Sequence, residues 1–241
     1  VMAKFIIKDD FWELFSDSAI GIVLAFGINS NLAENEKARK EIEALLKEGN
    51  ESAKKFLVND VLSENQVVKV WRDAYQKFKT KKGARASIEA LLKRISKDNP
   101  VGNIIPLVDI YNYISLTYGI PVGGEDLDKF EGDMVLTKAE GGEPFMALGD
   151  TDNDPALKDE IIYKDDVGAV CRCWNWRDGQ RTMLTEETKN AFLIIESVDP
   201  SRLEDVKKAM VELEALTLKY LGGKTKVMLL TKDNKEMELK L

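Results

Sequence analysis

Apolar residues in the first half of the chain recur every three or four positions, the spacing of helices with one face in the core. This spacing predicts four helices, over residues 32–48, 63–78, 87–98 and 106–118. Ser63 and Gln66 have the spacing of a capping box, which would start the second of them. Two apolar runs, Phe5–Ile7 and Ile20–Phe26, predict strands instead, and the second run is long enough to be central in a sheet.

From Met134 onward the hydrophobic period changes toward two, which is typical of strands. It predicts strands over residues 134–137, 145–148, 160–163, 169–176 and 191–197. Asp178-Gly179 predicts a hairpin turn, because a tight primed turn needs positive φ at its centre. The tail predicts a helix from about 200 to 221 and then a hairpin, so that residues 200–241 close the chain.

Helices in the first half and a mainly antiparallel sheet in the second half indicate an α+β layer fold. A chain of 241 residues can form one sizeable core or two small ones. The simpler interpretation is a single domain over residues 1–241.

The charge balance limits the partners of the protein. The chain has 42 acidic and 35 basic side chains and a net charge of −7, so we do not expect it to coat DNA. One local basic cluster follows the second helix and is a candidate for contact with RNA phosphates; an ordinary solvated turn is the alternative. Its candidate residues are Lys79, Lys81, Lys82 and Arg85.

The hydropathy pattern also bears on location. No apolar run approaches the roughly 20 residues needed to cross a bilayer, so no membrane partner is expected. The start, Val1–Phe5, lacks the charged head and apolar stretch of a secretion signal. We therefore expect a cytoplasmic protein.

Histidine is absent from the sequence, which removes the usual general base at neutral pH and the commonest metal ligand. The only cysteines, Cys171 and Cys173, can form neither a zinc cage nor a disulfide framework by themselves. We expect no metal and no cofactor. Any catalysis must use carboxylates, hydroxyls, Lys, Arg, backbone amides, water or the substrate.

Two segments carry candidate site residues. On a strand over 169–176, Arg172, Trp174 and Trp176 would share one face, which could stack on an aromatic ligand or an unpaired base. The alternative is a tryptophan in the core with the arginine paired to an acid. In the second segment, adjacent glycines before Glu143 permit a close approach of the backbone, although such a pair is often only a turn.

The segment Leu107–Ile114 reads LVDIYNYI and continues through Gly119-Ile120-Pro121 to Glu125-Asp126-Leu127-Asp128. It resembles the B3/B4 region of the beta subunit of bacterial phenylalanyl-tRNA synthetase, in which a VDxxNY helix leads through Gly-x-Pro to an Asp-Leu-Asp turn. The resemblance extends from about Ala84 to Glu196. It is closer still to free-standing bacterial proteins built around this domain.

The resemblance implies the fold of that module and its role in binding tRNA and hydrolysing tyrosine wrongly attached to the phenylalanine tRNA. By position, Glu143 matches the glutamate that binds the tyrosine hydroxyl, Gly142 the preceding glycine, and Asn112 the asparagine of the helix. The whole predicted substrate site consists of Glu143, Gly142, Asn112, Asp126, Arg172 and Trp174.

One departure from the family pattern affects the expected activity. Gly123 stands where synthetases commonly carry a histidine implicated in editing, and the turn here reads Gly123-Gly124-Glu125-Asp126. This loss argues against a deacylase, although a positioned water and the ribose hydroxyls of the tRNA could still carry ester hydrolysis. The motifs of an aminoacylating domain with an ATP site are absent from the sequence, so aminoacylation is not expected.

Three functions remain open at this point. The first is a stand-alone module that binds tRNA, or the aminoacyl group at its 3′ end, and that, if it is an enzyme, hydrolyses misacylated aminoacyl-tRNA. The second is a non-catalytic domain that binds or senses a small amino-acid-like ligand. The third is an interaction protein that docks a partner on its late sheet.

Overall fold

The computed structural model describes residues 3–241. Val1 and Met2, on which part of the expectation about a secretion signal rests, lie outside the described residues. Within residues 3–241, the chain forms six α-helices and two β-sheets, with five of the helices before residue 119. The predicted α+β class is therefore confirmed.

The five helices that the apolar periodicity predicts are present in the same order, and a short further helix precedes them. The six helices span Asp9–Leu14 (α1), Glu36–Ser52 (α2), Gln66–Tyr75 (α3), Ser87–Ser96 (α4), Pro106–Tyr118 (α5) and Leu203–Leu221 (α6). The strands are Lys4–Ile7 (β1), Ala19–Phe26 (β2), Val122–Asp126 (β3), Met134–Lys138 (β4), Ile161–Lys164 (β5), Ala169–Arg172 (β6), Arg177–Asp178 (β7), Asn190–Ser197 (β8), Lys224–Leu230 (β9) and Glu236–Glu238 (β10).

The two sheets differ in size and in the direction of their strands. One sheet has the order β10-β1-β4-β5-β6-β7 and contains the single parallel pair of the described chain, β1 with β4. The other has the order β3-β8-β2-β9 and is antiparallel throughout. As predicted, β2 is central, and all of its eight residues pair with β8.

The alternation of side chains along β2 shows why the sequence there is a continuous apolar run. Ile22 and Leu24 pack in a core shared with the six-stranded sheet, α1, α3 and α4. Val23 and Ala25 point to the opposite face and pack against α2, α5 and α6. Because the four-stranded sheet is covered on both faces, its central strand has no polar side.

The prediction of a strand over 169–176 and a turn at Asp178-Gly179 is wrong. The chain turns back at Cys173–Trp176, where Cys173 and Trp174 have positive φ values of 47° and 62°. The Trp174 side chain is fully buried, and burial of so large a side chain outweighs the local preference of an Asp-Gly pair. The indole packs against the rings of Phe11, Phe15 and Trp71 at centroid distances of 4.9, 4.8 and 4.8 Å.

Three smaller predictions also fail. The tail is not a simple hairpin, because β9 pairs with β2 in one sheet and β10 pairs with β1 in the other. The helix predicted from Ser63 begins later, at Gln66, and its N-cap residue is Asn65. The side-chain amide of Asn65 donates hydrogen bonds to carbonyl groups of the preceding turn. Residues 145–148 make only one bridge, from Ala147 to Gly179.

The segment 123–126, expected as a turn, forms most of β3. It pairs with β8 along its whole length, and the missing side chain of Gly124 makes this approach possible. A Cβ atom at Gly124 would lie 2.8 Å from the Leu193 side chain of β8. Among residues 3–241, no helix combines the length and the apolar content that crossing a bilayer requires.

Gly119 ends α5 with a positive φ of 66°, as its position after the apolar stripe predicts. Substituting Gly119→Ala should lower the free energy of unfolding by about 2–4 kcal/mol, because the left-handed backbone costs about 1–2 kcal/mol and the new methyl group overpacks the core. Its Cβ would lie 2.7 Å from the Phe56 ring. The matched control is Gly83→Ala, which has a φ of 86° with no atom within 4 Å. Equal losses in urea denaturation would show that the Phe56 contact is unimportant.

Candidate functional site

A cavity of about 210 Å³ lies where α4 and α5 meet both sheets. Its apolar walls come from the interior of both sheets and include Met134, Tyr163, Trp174 and Phe192. A space of this size fits one amino-acid-sized group rather than a drug-sized ligand.

Three carboxyl groups line this cavity, from Glu125 on β3, Asp178 on β7 and Glu196 on β8. Glu125 and Glu196 are only 2% and 3% exposed. Asp178 is partly exposed as a whole residue, but its carboxyl group is buried. Among the described residues that line the cavity, none is Lys or Arg. These acids therefore lack the cationic partners that buried carboxylates usually have.

Glu125 and Asp178 lie close enough for each carboxyl group to act on the pKa of the other. Thr182 Oγ1 donates a hydrogen bond to Glu125 Oε2 at 3.0 Å. Burial, and then the nearby charge of Asp178, raises the pKa of Glu125 well above its ordinary value. Burial also raises the pKa of Asp178. Two neighbouring carboxyl groups in a buried site disfavour the ionisation of both at once.

Glu196 occupies a different part of the cavity wall. Tyr163 donates its hydroxyl to Glu196 Oε2 at 2.6 Å, and burial raises the pKa of Glu196 to about 8. At neutral pH this carboxyl group is therefore mainly protonated and able to donate a hydrogen bond.

Two buried donors, Trp174 Nε1 and Asn175 Nδ2, have no partner at hydrogen-bond distance among residues 3–241. Both lie beside Glu196 and lower the pKa of its carboxyl group. The Asn175 side chain is fixed through its other atom, because Oδ1 accepts from the Ser87 N–H at 3.0 Å and from the Tyr75 hydroxyl at 3.2 Å. An unmade bond at a buried donor costs about 1–3 kcal/mol. Both residues line the cavity, so the two donors are available to a ligand there.

Cys171 also lines the cavity, but burial raises the pKa of its thiol well above its ordinary value. The thiolate is the nucleophilic form of cysteine. Cys171 is therefore not a nucleophile at neutral pH, and the chemistry of the cavity is that of its carboxyl groups and hydrogen-bond donors.

The structure brings together only part of the predicted substrate site. Asn112 and Trp174 line the cavity, whereas Gly142, Glu143, Asp126 and Arg172 do not. Arg172 does not share the cavity with Trp174, because the strand that was to carry both ends at Arg172.

Glu143 caps its own loop. Its carboxylate accepts bonds from the backbone N–H groups of Glu140 and Gly141, both at 2.9 Å, and pairs with Lys164 at 3.2 Å. Burial alone would raise the pKa of Glu143, but these three bonds together lower it. Gly142 has a φ of 93° and permits this turn.

Arg172 and Asp126 are held by other parts of the protein. Arg172 is fully buried and pairs with Glu160 at 2.6 Å and with Asp154 at 3.0 Å. The arginine is thus paired to acids, which was the alternative to a ligand-binding role. Asp126 accepts from the Asp128 N–H at 3.0 Å and from Thr188 Oγ1 at 2.9 Å. These bonds fix the turn that follows β3.

A groove of basic residues lies directly beside the cavity, and Ala90 and Trp176 line both. None of its charged side chains takes part in a salt bridge within residues 3–241, and no acidic residue lines it in the described chain. We call this surface the basic groove; its cations are Lys82, Arg85, Lys93, Arg94, Lys97 and Arg177.

The basic groove contains two of the four predicted RNA-contact residues, Lys82 and Arg85. Lys79 lies outside it, and Lys81 pairs with Asp154 at 3.1 Å. The remaining cations come from α4, from Lys97 directly after it, and from β7. A signal for them was present in the sequence, because Lys93 and Lys97 are four residues apart and share one helix face.

The three cavity acids were missed by sequence reasoning. A signal existed for Glu196, because Phe192, Ile194 and Glu196 alternate along β8 and all line the cavity. A glutamate at an inward position of an apolar strand is informative, since such residues are rarely buried without a partner. Glu125 and Asp178 carried no such signal, because their contact joins two different sheets.

Removing Arg172 tests its structural role. Arg172→Met should lower the free energy of unfolding by about 3–5 kcal/mol, because it leaves Glu160 buried and unpaired. Adding Glu160→Gln in the same chain should recover most of the loss in urea denaturation. A stable Arg172→Met variant that lost only ligand binding would instead place Arg172 in the site.

Glu196→Gln should stabilise the protein above pH 4.5. A carboxyl group whose folded pKa is raised destabilises the folded state once the unfolded chain ionises, and the amide removes this penalty. The gain should increase between the ordinary pKa of 4.5 and the folded value of about 8, by up to about 1.4 kcal/mol for each pH unit. Denaturation of both proteins from pH 4 to 8 measures it. A difference that did not change with pH would show that Glu196 ionises normally.

Comparisons with known proteins identify the family of this chain. Residues 70–214 match the model of the B3/4 domain. The chain is 33% identical over 120 residues to a phenylalanine-tRNA ligase beta subunit of Fusobacterium nucleatum, covering 49% of this chain and 14% of that protein. It is 37% identical over 95 residues to the phenylalanine-tRNA ligase beta subunit of Streptococcus agalactiae serotype V, and this match covers 39% of this chain and 11% of that protein. The chain thus corresponds to about one seventh or less of these relatives.

A solved structure, an N-terminal fragment of the phenylalanyl-tRNA synthetase beta subunit from Pyrococcus horikoshii, matches with a TM-score of 0.43 and 21% identity. The match covers 55% of this chain and 44% of that one. Since the family model extends over more than half of the sequence, the chain belongs to the B3/4 domain family.

Proposed function

We propose that this B3/4 domain binds the aminoacylated 3′ end of a tRNA and hydrolyses misacylated ester in trans. The aminoacyl group would occupy the cavity and the terminal phosphates would follow the basic groove. The observation that carries the proposal is the shared wall of the two sites, since Ala90 and Trp176 line both. One ligand with an amino-acid end and a phosphate backbone would fill both.

The cavity has the polar groups that an aminoacyl ester needs. An α-ammonium group donates three hydrogen bonds, and carboxyl oxygens of the cavity wall supply acceptors. The ester carbonyl accepts hydrogen bonds, and Trp174 Nε1 and Asn175 Nδ2 are donors without a partner in the described chain. The apolar walls leave room for one side chain.

The basic groove has the charge that a phosphate backbone needs. Its six cations have no acidic partner in the described chain, while the chain as a whole has a net charge of −7. An RNA end is therefore attracted at this surface and repelled elsewhere, which orients it toward the cavity. Arg177 stacks on the Trp176 ring at 4.8 Å, and such a pair can support a terminal base.

The relatives agree with this partner. Both are named as beta subunits of a ligase for phenylalanine and its tRNA, and the chain shares the matched region with them. For this protein we propose binding and ester hydrolysis at the cavity and the basic groove, without aminoacylation.

A double substitution in the basic groove tests the RNA contact. Lys93→Gln/Lys97→Gln should weaken binding of a tRNA and reduce the slope of log affinity against log salt by about 0.7 for each phosphate contact removed. Fluorescence anisotropy between 50 and 300 mM salt measures both. The matched control is Lys37→Gln/Lys47→Gln, which removes two exposed lysines of α2.

Equal affinity and slope in the two double variants would contradict the use of the basic groove. Binding of free amino acids without salt dependence, and no binding of tRNA, would favour the small-ligand domain instead.

A further inference from the structure

We propose that Glu125 and Asp178 form a catalytic carboxyl pair that activates water to hydrolyse the ester in the cavity. This inference rests on the proposed function, because it requires an aminoacyl ester as substrate. It names the groups that perform the chemistry in a protein without histidine.

The pair is assembled from two different sheets. Glu125 belongs to β3 of the four-stranded sheet and Asp178 to β7 at the edge of the six-stranded sheet. Both residues line the cavity wall, and each carboxyl group acts on the pKa of the other. A contact between residues 53 positions apart, from separate sheets, requires both sheets to be correctly placed.

The surrounding contacts hold each member in place without neutralising it. Thr182 Oγ1 donates to Glu125 at 3.0 Å, and the backbone of Asp178 is in register with Cys171 of β6. The nearest arginine that acts on Glu125 is Arg181. Arg181 is already committed to Asp165, at 2.6 and 2.8 Å. The two acids are therefore not half of a structural ion pair.

Burial, followed by the charge of its neighbour, raises the pKa of Glu125, and burial raises the pKa of Asp178. Two carboxyl groups that share one proton supply a base and an acid at the same point, as in aspartic proteases. This is the property that the reaction needs near neutral pH.

The reaction is balanced by one water molecule. The ionised carboxyl group takes a proton from the water as its oxygen bonds to the ester carbonyl carbon. The protonated partner donates a hydrogen bond to the carbonyl oxygen, which becomes negatively charged. When the C–O bond to the ribose breaks, the proton taken from the water passes to the ribose oxygen. The products are the free amino acid and the tRNA with its hydroxyl restored.

The unpartnered donors complete the site. Trp174 Nε1 and Asn175 Nδ2 lack partners in the described chain and belong to residues of the same cavity wall. Fixed donors of this kind stabilise the negative oxygen that develops during ester hydrolysis. The two donors lie beside Glu196, whose pKa they lower, and a ligand in the cavity would supply the acceptor that each lacks at hydrogen-bond distance.

Two isosteric substitutions test the pair. Glu125→Gln and Asp178→Asn should each lower the single-turnover rate of hydrolysis by at least about 100-fold. The probe is tyrosine attached to the phenylalanine tRNA, run beside mischarged alanine and proline tRNAs. Binding of the uncharged tRNAs should change by less than about twofold, because the basic groove is intact. Asp17→Asn, which removes an exposed acid outside the cavity, is the matched control.

An isotope experiment on the parent protein gives a second readout, which does not require any variant to fold. In H₂¹⁸O, water attack on the ester places ¹⁸O in the released amino acid during the first turnover. A nucleophilic carboxylate would displace the ribose oxygen and form a mixed anhydride, and water that opens this anhydride at the protein's carbonyl carbon would place ¹⁸O in the protein.

The outcomes separate the two proposals. Hydrolysis that survives in both variants, or ¹⁸O in the protein, would overturn the catalytic pair and leave the proposed function in place. Bound but unhydrolysed substrate in the parent protein would overturn both the pair and the hydrolysis in the proposed function, and would leave only tRNA binding. Failure of the parent protein to bind any of these RNAs would overturn the proposed function itself.

Discussion

Burial of Trp174 in the turn between β6 and β7 is the constraint on which the site depends. The indole packs among three aromatic rings, and this burial holds two consecutive residues in the left-handed region. The turn then places Asn175 and Trp176 at the cavity and returns the chain along β7, which carries Asp178 to the same wall. One packing interaction thus positions the donors, the boundary with the basic groove, and one of the acids.

Buried acidic groups occur in two arrangements, one paired with a cation and one without. Arg172 and Glu160 are buried together and satisfy each other, as expected of a structural pair. Glu125, Asp178 and Glu196 are buried without any cation among the lining residues, which disfavours the folded state once the unfolded chain ionises. A fold retains such unfavourable groups mainly where they perform a function. The acids of the cavity therefore mark the site more clearly than the basic sequence cluster does.

Much of the fold was predictable because it follows from local patterns. β2, β8 and α5 are long, strongly periodic segments, and Gly119 ends α5 as expected. The turn at Trp174 was not predictable, since it depends on aromatic rings from distant parts of the chain. The tail strands β9 and β10 likewise join different sheets, a choice that depends on partners far away in sequence.

The candidate site was predicted less well for the same reason. Asn112 and Trp174 were identified and lie in the cavity, and Lys82 and Arg85 lie in the groove. Glu125 and Asp178 meet only after two sheets have formed, so no spacing in the sequence marks them. Glu143 had a suggestive setting between glycines and a strand, but its bonds to its own loop show that local polar patterns can be satisfied locally.

We propose that one aminoacylated RNA end occupies the cavity and the basic groove together. The NMR signals of the indole N–H groups of Trp174 and Trp176 test this occupancy directly. The ligands are a short acceptor-stem RNA with a stable amide-linked amino acid at its 3′ end and the same RNA without the amino acid. We predict that the Trp176 signal shifts with both RNAs, whereas the Trp174 signal shifts only with the aminoacylated one. A Trp174 signal unaffected by the amino acid, while Trp176 responds, would contradict the account.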